Sequence, residues 1–126
     1  MIRTNGVYHT GIPVDDLERA THFYSEILGM ELDRTVGGEG GAVLSRLRCG
    51  GDTVVLFQRP RALNRDSQQE DGIYHQAFHI PVEDFEAAMA ELKATGFYRD
   101  GPIDRPSGRT VYFVDTEGNY QELHAP

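Results

Sequence analysis

Ile12-Pro-Val-Asp-Asp-Leu-Glu-Arg-Ala20 returns 68 residues later as Ile80-Pro-Val-Glu-Asp-Phe-Glu-Ala-Ala88, with six of nine positions identical. A repeat of that length in a chain of 126 residues marks one supersecondary unit used twice. The offset nearly holds further on, where Gly29 and Gly96 each follow an amphipathic run. Upstream of each copy lies a histidine in a short apolar strand, Tyr8-His9 before the first and Tyr74-His75 before the second. A doubled unit that brings one histidine from each half to a shared interface can build a metal site.

Each copy opens as a strand and continues as a helix. Asp15, with Glu18 three residues on, has the spacing of a capping box. Leu17, Ala20, Tyr24, Ile27 and Leu28 recur at helical period, and Gly29 supplies a left-handed stop. Phe85, Ala88, Met89 and Leu92 repeat that stripe before Gly96. The acidic pairs Asp15-Asp16 and Glu83-Asp84 read as helix caps. Strands are expected over 30–36, 42–48 and 53–58 in the first half, and over 97–99, 109–114 and 119–124 in the second. The glycine run 37–41 is expected to be a loose, mobile tip, and 50–52 a tight turn. The chain therefore reads as one domain of two βαβββ modules, about 1–60 and 72–126, joined by a polar crossover over 61–71. The fold class is α+β.

Composition narrows the function. A net charge of −8 and a pI near 5.0 argue against nucleic acid, which needs a clustered positive surface. There is no signal-peptide pattern and no apolar run long enough to span a bilayer. Cys49, the single cysteine, has no internal disulfide partner, so the expectation is a soluble, cytoplasmic chain. Cys49 sits beside Gly50-Gly51 with no histidine near it in sequence, and a nucleophile needs a base.

Alternation along strands sorts the polar candidates. His75, Ala77 and His79 share a face, as do His9 and Gly11, and Tyr120, Glu122 and His124. Two histidines and a carboxylate on neighbouring strands make a facial ligand set for divalent iron, manganese, nickel or zinc, leaving positions open for substrate or water. Arginine accounts for eleven of the twelve basic residues, and Arg59, Arg61, Arg65, Arg99 and Arg105 read as solubility charges in or near loops. Arg109 begins the strand carrying Tyr112, from where it could meet an anionic substrate bidentately. Tyr120 is expected beside the substrate.

These motifs resemble the vicinal oxygen chelate superfamily, which includes glyoxalase I, methylmalonyl-CoA epimerase, extradiol dioxygenases, fosfomycin-resistance thiol transferases and bleomycin-binding proteins. The resemblance rests on His9 followed by Val14-Asp-Asp-Leu-Glu, Phe23-Tyr24 and Leu28-Gly29, then on His75-Gln-Ala-Phe78. It closes on Tyr112-Phe-Val-Asp-Thr-Glu-Gly-Asn-Tyr-Gln-Glu-Leu123, in which Glu122 lies four residues after a turn glycine. It implies two modules curved into an open, barrel-like trough, a homodimer, and a small-molecule substrate. It also implies metal ligands at His9, His75 and Glu122, with Glu122 the catalytic group. His79 is left as a pocket-edge or core histidine, because four residues of strand separate it from His75 by roughly 13 Å.

Where glyoxalases and epimerases carry a fourth Glu or Gln, the matching position here is Leu56, with Gln58 one alternation further on. Gln58 is a neutral amide that could orient substrate but is a poor base. In fosfomycin transferases the pair matching Tyr112-Phe113 lies beside the drug. Those proteins carry Thr where this chain has Gly11, and a basic segment past the position where this sequence stops at Pro126. The leading expectation is a metal-dependent enzyme on an oxygen-rich substrate, dioxygenase- or thiol-transferase-like rather than glyoxalase I. The alternative is a non-catalytic drug- or metabolite-binding protein of bleomycin-resistance type.

Overall fold

The computed structural model describes residues 1–59 and 75–126. The expected crossover over 61–71, with Arg61 and Arg65, lies outside the described residues, as does Tyr74. The chain divides into two compact units, Met1–Leu63 and Asn64–Pro126. Each contains one four-stranded sheet and one main helix.

In the first unit, strand β1 (Thr10–Val14) pairs in parallel with β4 (Asp52–Gln58). Beyond β4 lie β3 (Gly41–Cys49) and β2 (Glu31–Gly38), both antiparallel, giving the order β1-β4-β3-β2. Helix α1 (Leu17–His22) runs straight into a π turn, Phe23–Ile27, where the Leu28 amide reaches back five residues to the Phe23 carbonyl at 3.1 Å. The wider turn rotates the apolar stripe. Phe23 and Tyr24 are buried, whereas Ile27 and Leu28, expected in the stripe, are only half-buried. Gly29 then ends the run at φ 72°.

The entry to α1 corrects the expected cap by one residue. Asp16, not Asp15, is the N-cap, its carboxylate accepting from the Arg19 amide at 3.0 Å. Gln58 holds the same turn from the sheet, where its Oε1 accepts from the Leu17 amide at 2.8 Å and its Nε2 donates to the Asp15 and Arg59 carbonyls. In the second copy the acidic pair makes no side-chain cap bond. A 3-10 turn, Val82–Asp84, leads into the helix instead, its Asp84 amide donating to the Pro81 carbonyl.

The second unit repeats the sheet as β5-β8-β7-β6. Here β5 (Gln76–His79) is parallel to β8 (Tyr120–Ala125), and β7 (Gly108–Val114) and β6 (Tyr98–Arg105) follow antiparallel. Helix α2 (Phe85–Thr95) buries Phe85 and Leu92 and stops at Gly96, φ 84°. Burying a Phe or Leu of this kind contributes about 1.5–3 kcal/mol.

Two strand expectations change. Strand β6 of the second unit runs to Arg105, not 99, because register shifts between Tyr98, Asp100 and Ile103 absorb the Asp100-Gly-Pro breaker. The glycine run 37–41 is not a loose tip: the ladder closes at Gly38 and Gly41, leaving only Glu39-Gly40 to turn.

Candidate metal centre

The two faces of each sheet are distinguished by their contacts with the helix. In the first unit Ser45 lies opposite Leu56, and the Ser45 and Thr21 hydroxyls meet at 2.8 Å, so Val54, Leu56 and Gln58 face α1. Val55 and Phe57 therefore face away from it. In the second unit Arg109 lies over the Phe85 ring at 4.7 Å and pairs with Glu86, so odd-numbered positions of β7 face α2. Thr110 and Tyr112 face away, and so does Glu122, the strand partner of Tyr112 and Ala77.

On that second face the polar groups converge. His75, just before β5, places Nε2 3.0 Å from Glu122 Oε2, the side chains being 27 % and 11 % exposed. Thr110, fully buried, donates its hydroxyl to the other carboxylate oxygen at 2.8 Å. The same hydroxyl lies 3.3 Å from His124 Nδ1, while His124 Nε2 donates to the Ser107 carbonyl at 3.1 Å. Two tyrosines wall the pair. The Tyr112 and Tyr120 rings stack at 5.4 Å, and the His75 ring stands edge-on to both at 5.9 and 6.5 Å. Burial, reinforced by the Asp100 charge, holds the Tyr120 phenol above its ordinary pKa, so it remains a neutral donor.

His79 lies elsewhere. It is opposite His124 in the strand register, exposed, with ring centroids 5.6 Å apart, and Ala77 rather than His79 stands beside Glu122. In the first unit His9 packs its ring 5.3 Å from Tyr8 and 6.4 Å from Phe57. Among the described residues no group of three or more His, Cys, Asp or Glu side chains is close enough together to hold a metal ion.

Three expected site residues have other work. Arg109 is an odd number of residues from Tyr112, so alternation sends it to the α2 face, where Glu86 and Asp104 neutralise it. Gln58 has its amide committed to the backbone at the start of α1. Leu56, assigned as the fourth ligand position, is fully buried under α1. The strand registers give a different counterpart. With His9 matched to His75, Gly11 matches Ala77, and their parallel partners are Val55 and Glu122. On that match Val55, not Leu56, is the counterpart of Glu122. Cys49 is half-buried at the end of β3, where burial and Asp52 push its thiol pKa up.

Two residues escaped the sequence reading. Thr110 could have been found, since it shares the face of Tyr112 and stands opposite His124, diagonal to Glu122. Arg105, expected to be a solubility charge, donates to the Tyr112 hydroxyl at 2.9 Å, because β6 runs six residues past its expected end.

Comparison with known proteins agrees with this architecture. The chain is similar to glutathione transferase FosA of Serratia marcescens, 31% identical over 116 residues, covering 92% of this chain and 77% of that protein. It is 28% identical over 126 residues to fosfomycin resistance protein FosX of Listeria monocytogenes, covering 96% and 90%. A solved structure of a FosX variant from that organism, complexed with Mn(II) and 1S,2S-dihydroxypropylphosphonic acid, has a TM-score of 0.77 at 24% identity, over 98% of this chain and 94% of that one. That likeness speaks for the fold. The profile described as Glyoxalase/Bleomycin resistance protein/Dioxygenase superfamily matches residues 6–123, and the chain belongs to that superfamily.

Proposed function

We propose that this protein is a metal-dependent enzyme that binds an oxygen-rich small molecule and adds a thiol or water to it, rather than isomerising it as glyoxalase I does. The observation that carries the reading is the His75–Glu122 contact at 3.0 Å, an imidazole nitrogen and a carboxylate oxygen converging on one point. This donor set suits a divalent ion such as manganese, iron, nickel or zinc. His75 and Glu122 would supply two of its ligands. Such an ion, when bound, supplies Lewis acidity toward a substrate oxygen.

The rest of the chemistry belongs to the chain. Thr110 fixes one oxygen of Glu122 and leaves the other directed at His75. Tyr112 accepts from Arg105, which frees its own proton for a substrate oxygen, and Tyr120 offers a second neutral donor. The similarity to a glutathione transferase supports a thiol as the nucleophile.

The test is metal analysis of protein purified without chelators, followed by product mass spectrometry on fosfomycin with glutathione, cysteine or water. A metal-dependent adduct or diol supports the proposal. Tight ligand binding with neither metal nor turnover would instead support a sequestering protein. Thr110 gives a finer check. Thr110→Val should lower manganese affinity about 10–100-fold, as loss of partners that orient metal ligands does, and Thr110→Ser should restore most of it. Equal affinity in Thr110→Val and the parent would remove Thr110 from the site.

We also infer a homodimer. Each sheet ends in strands with an unpaired edge among the described residues, β1 and β2 in one and β5 and β6 in the other. Light scattering at micromolar concentration should give twice the mass of the chain, and a monomer would reject it.

A further inference from the structure

The chain has three asparagines, Asn5, Asn64 and Asn119, and one of them is followed by glycine. Asn64 lies outside the described residues. Asn119 is locked in place. It is 6 % exposed, its Nδ2 donates to Asp115 Oδ2 at 2.9 Å, and its backbone amide donates to Asp115 Oδ1 at 2.8 Å. The next residue, Tyr120, begins β8 and is paired with Val114. This carboxamide has a partner for its nitrogen, and the backbone after it is fixed in a strand.

Asn5 is the opposite case. Asn5 and Gly6 are both exposed, lie outside any helix or strand, and make no hydrogen bond among the described residues. Gly6 holds φ 89°, and apart from its chain neighbours no atom lies within 4 Å of where a β-carbon would stand. Its amide nitrogen is therefore neither shielded by a side chain of its own nor tied to a carbonyl. Asparagine is among the thermally labile residues, and a neighbouring amide this open is what its breakdown requires.

We infer that Asn5-Gly6 is a self-modification site, at which the folded chain converts Asn5 to aspartate and isoaspartate with water as the only co-reactant. The Gly6 nitrogen loses its proton to water and attacks Cγ of Asn5. A C–N bond forms, closing a cyclic imide, and the Cγ–Nδ2 bond breaks, so that the amide nitrogen leaves as ammonia. Water then opens the imide at either carbonyl. Opening at the side-chain carbonyl gives aspartate, and opening at the backbone carbonyl gives isoaspartate, with one extra methylene in the main chain. One water enters, one ammonia leaves, and no group is oxidised or reduced.

The inference goes beyond the proposed metal centre and needs neither metal nor substrate. Its product takes the formal net charge one unit below −8. The altered link lies ahead of β1, which begins at Thr10, so no rung of the ladder is touched. The new carboxylate stands three residues before Tyr8, whose ring packs on His9 and lies 5.7 Å from the Arg46 guanidinium. The segment that carries Tyr8 and His9 into β1 thus exists in three covalent forms on one unchanged sheet.

The full chain would be aged in neutral buffer well below its melting temperature, then digested with trypsin beside a fresh sample. Mass spectrometry follows the peptides Thr4–Arg19 and Thr110–Pro126. The first should gain one mass unit with time and split into two isomers, one of them a substrate for an isoaspartate methyltransferase. The second should stay unchanged. A synthetic peptide of residues 1–10 supplies the unrestrained rate, which the folded chain should approach within a few-fold. Asn5→Gln should abolish the gain, and Gly6→Ala, whose methyl crowds the attack, should slow it several-fold. The aged chain should melt with the fresh one, because neither residue is hydrogen-bonded among the described residues. No gain at Asn5 while the peptide converts would overturn the inference. Equal rates in Gly6→Ala and the parent would do the same, as would a gain confined to chain that has lost its melting transition.

Discussion

Alanine at His75 should lower manganese affinity by about 100-fold or more, since removing groups that merely orient metal ligands already costs about 10–100-fold. His79→Ala should leave it within about twofold. The contrast is informative because the two histidines share a strand face and differ only in register. His75 Nε2 is 3.0 Å from Glu122, whereas His79 is exposed and meets the His124 ring. Four residues of extended chain separate them by roughly 13 Å, so they cannot exchange roles without slipping the strand. Paramagnetic resonance of titrated Mn(II), with circular dichroism to confirm folding, gives the answer. Retained manganese in His75→Ala together with loss in His79→Ala would show that β5 is out of register with the proposed site. Glu122→Gln offers a second reading of the same centre. It keeps the shape and the Thr110 contact but removes the charge, and it too should lose most of the affinity.

Turnover of the methylglyoxal–glutathione adduct should be about 10²–10⁴-fold below that of an enzyme with a carboxylate at the fourth position, the usual worth of a positioned general base. Glyoxalase chemistry moves a proton between adjacent carbons and needs a base beside the metal. The first-module counterpart of Glu122 is Val55, a buried hydrocarbon with neither charge nor lone pair. Gln58 cannot stand in, because its amide is held by the backbone at Leu17, Asp15 and Arg59. Addition of a thiol or water to an activated substrate loses no essential group by this replacement. An assay across nickel, zinc and manganese forms, monitored at the thioester product, tests the point. Activity within tenfold of dedicated glyoxalases would mean that Glu122 serves as both ligand and base.

A hydrocarbon at the position matching the fourth ligand was legible in the sequence, although strand register moves that position from Leu56 to Val55. Leu56 and Val55 are both apolar, so a one-place error in the fourth strand changed the assignment without changing the chemistry. The error has a plain cause. Spacing along the sequence gives position along β4 but not which face meets α1, and that face is decided by Ser45 and Thr21 from distant segments. Arg109 was misplaced although alternation from Tyr112 already pointed it to the other face. Gln58 could not have been assigned from sequence, since its partners lie 41 and 43 residues away.

By itself the sequence determined the superfamily, the use of one unit twice, and the helix stops at Gly29 and Gly96. Those features are local: a repeated string and a positive φ that glycine adopts at little cost. Tertiary structure decided the rest. The bulge at Asp33 set Arg34 against Arg46, the register of β7 on β8 brought Thr110 to Glu122, and the continuation of β6 carried Arg105 to Tyr112. Strand alternation says which residues share a face, but which residue stands opposite which depends on hydrogen-bond register between strands, and one skipped residue changes every partner beyond it.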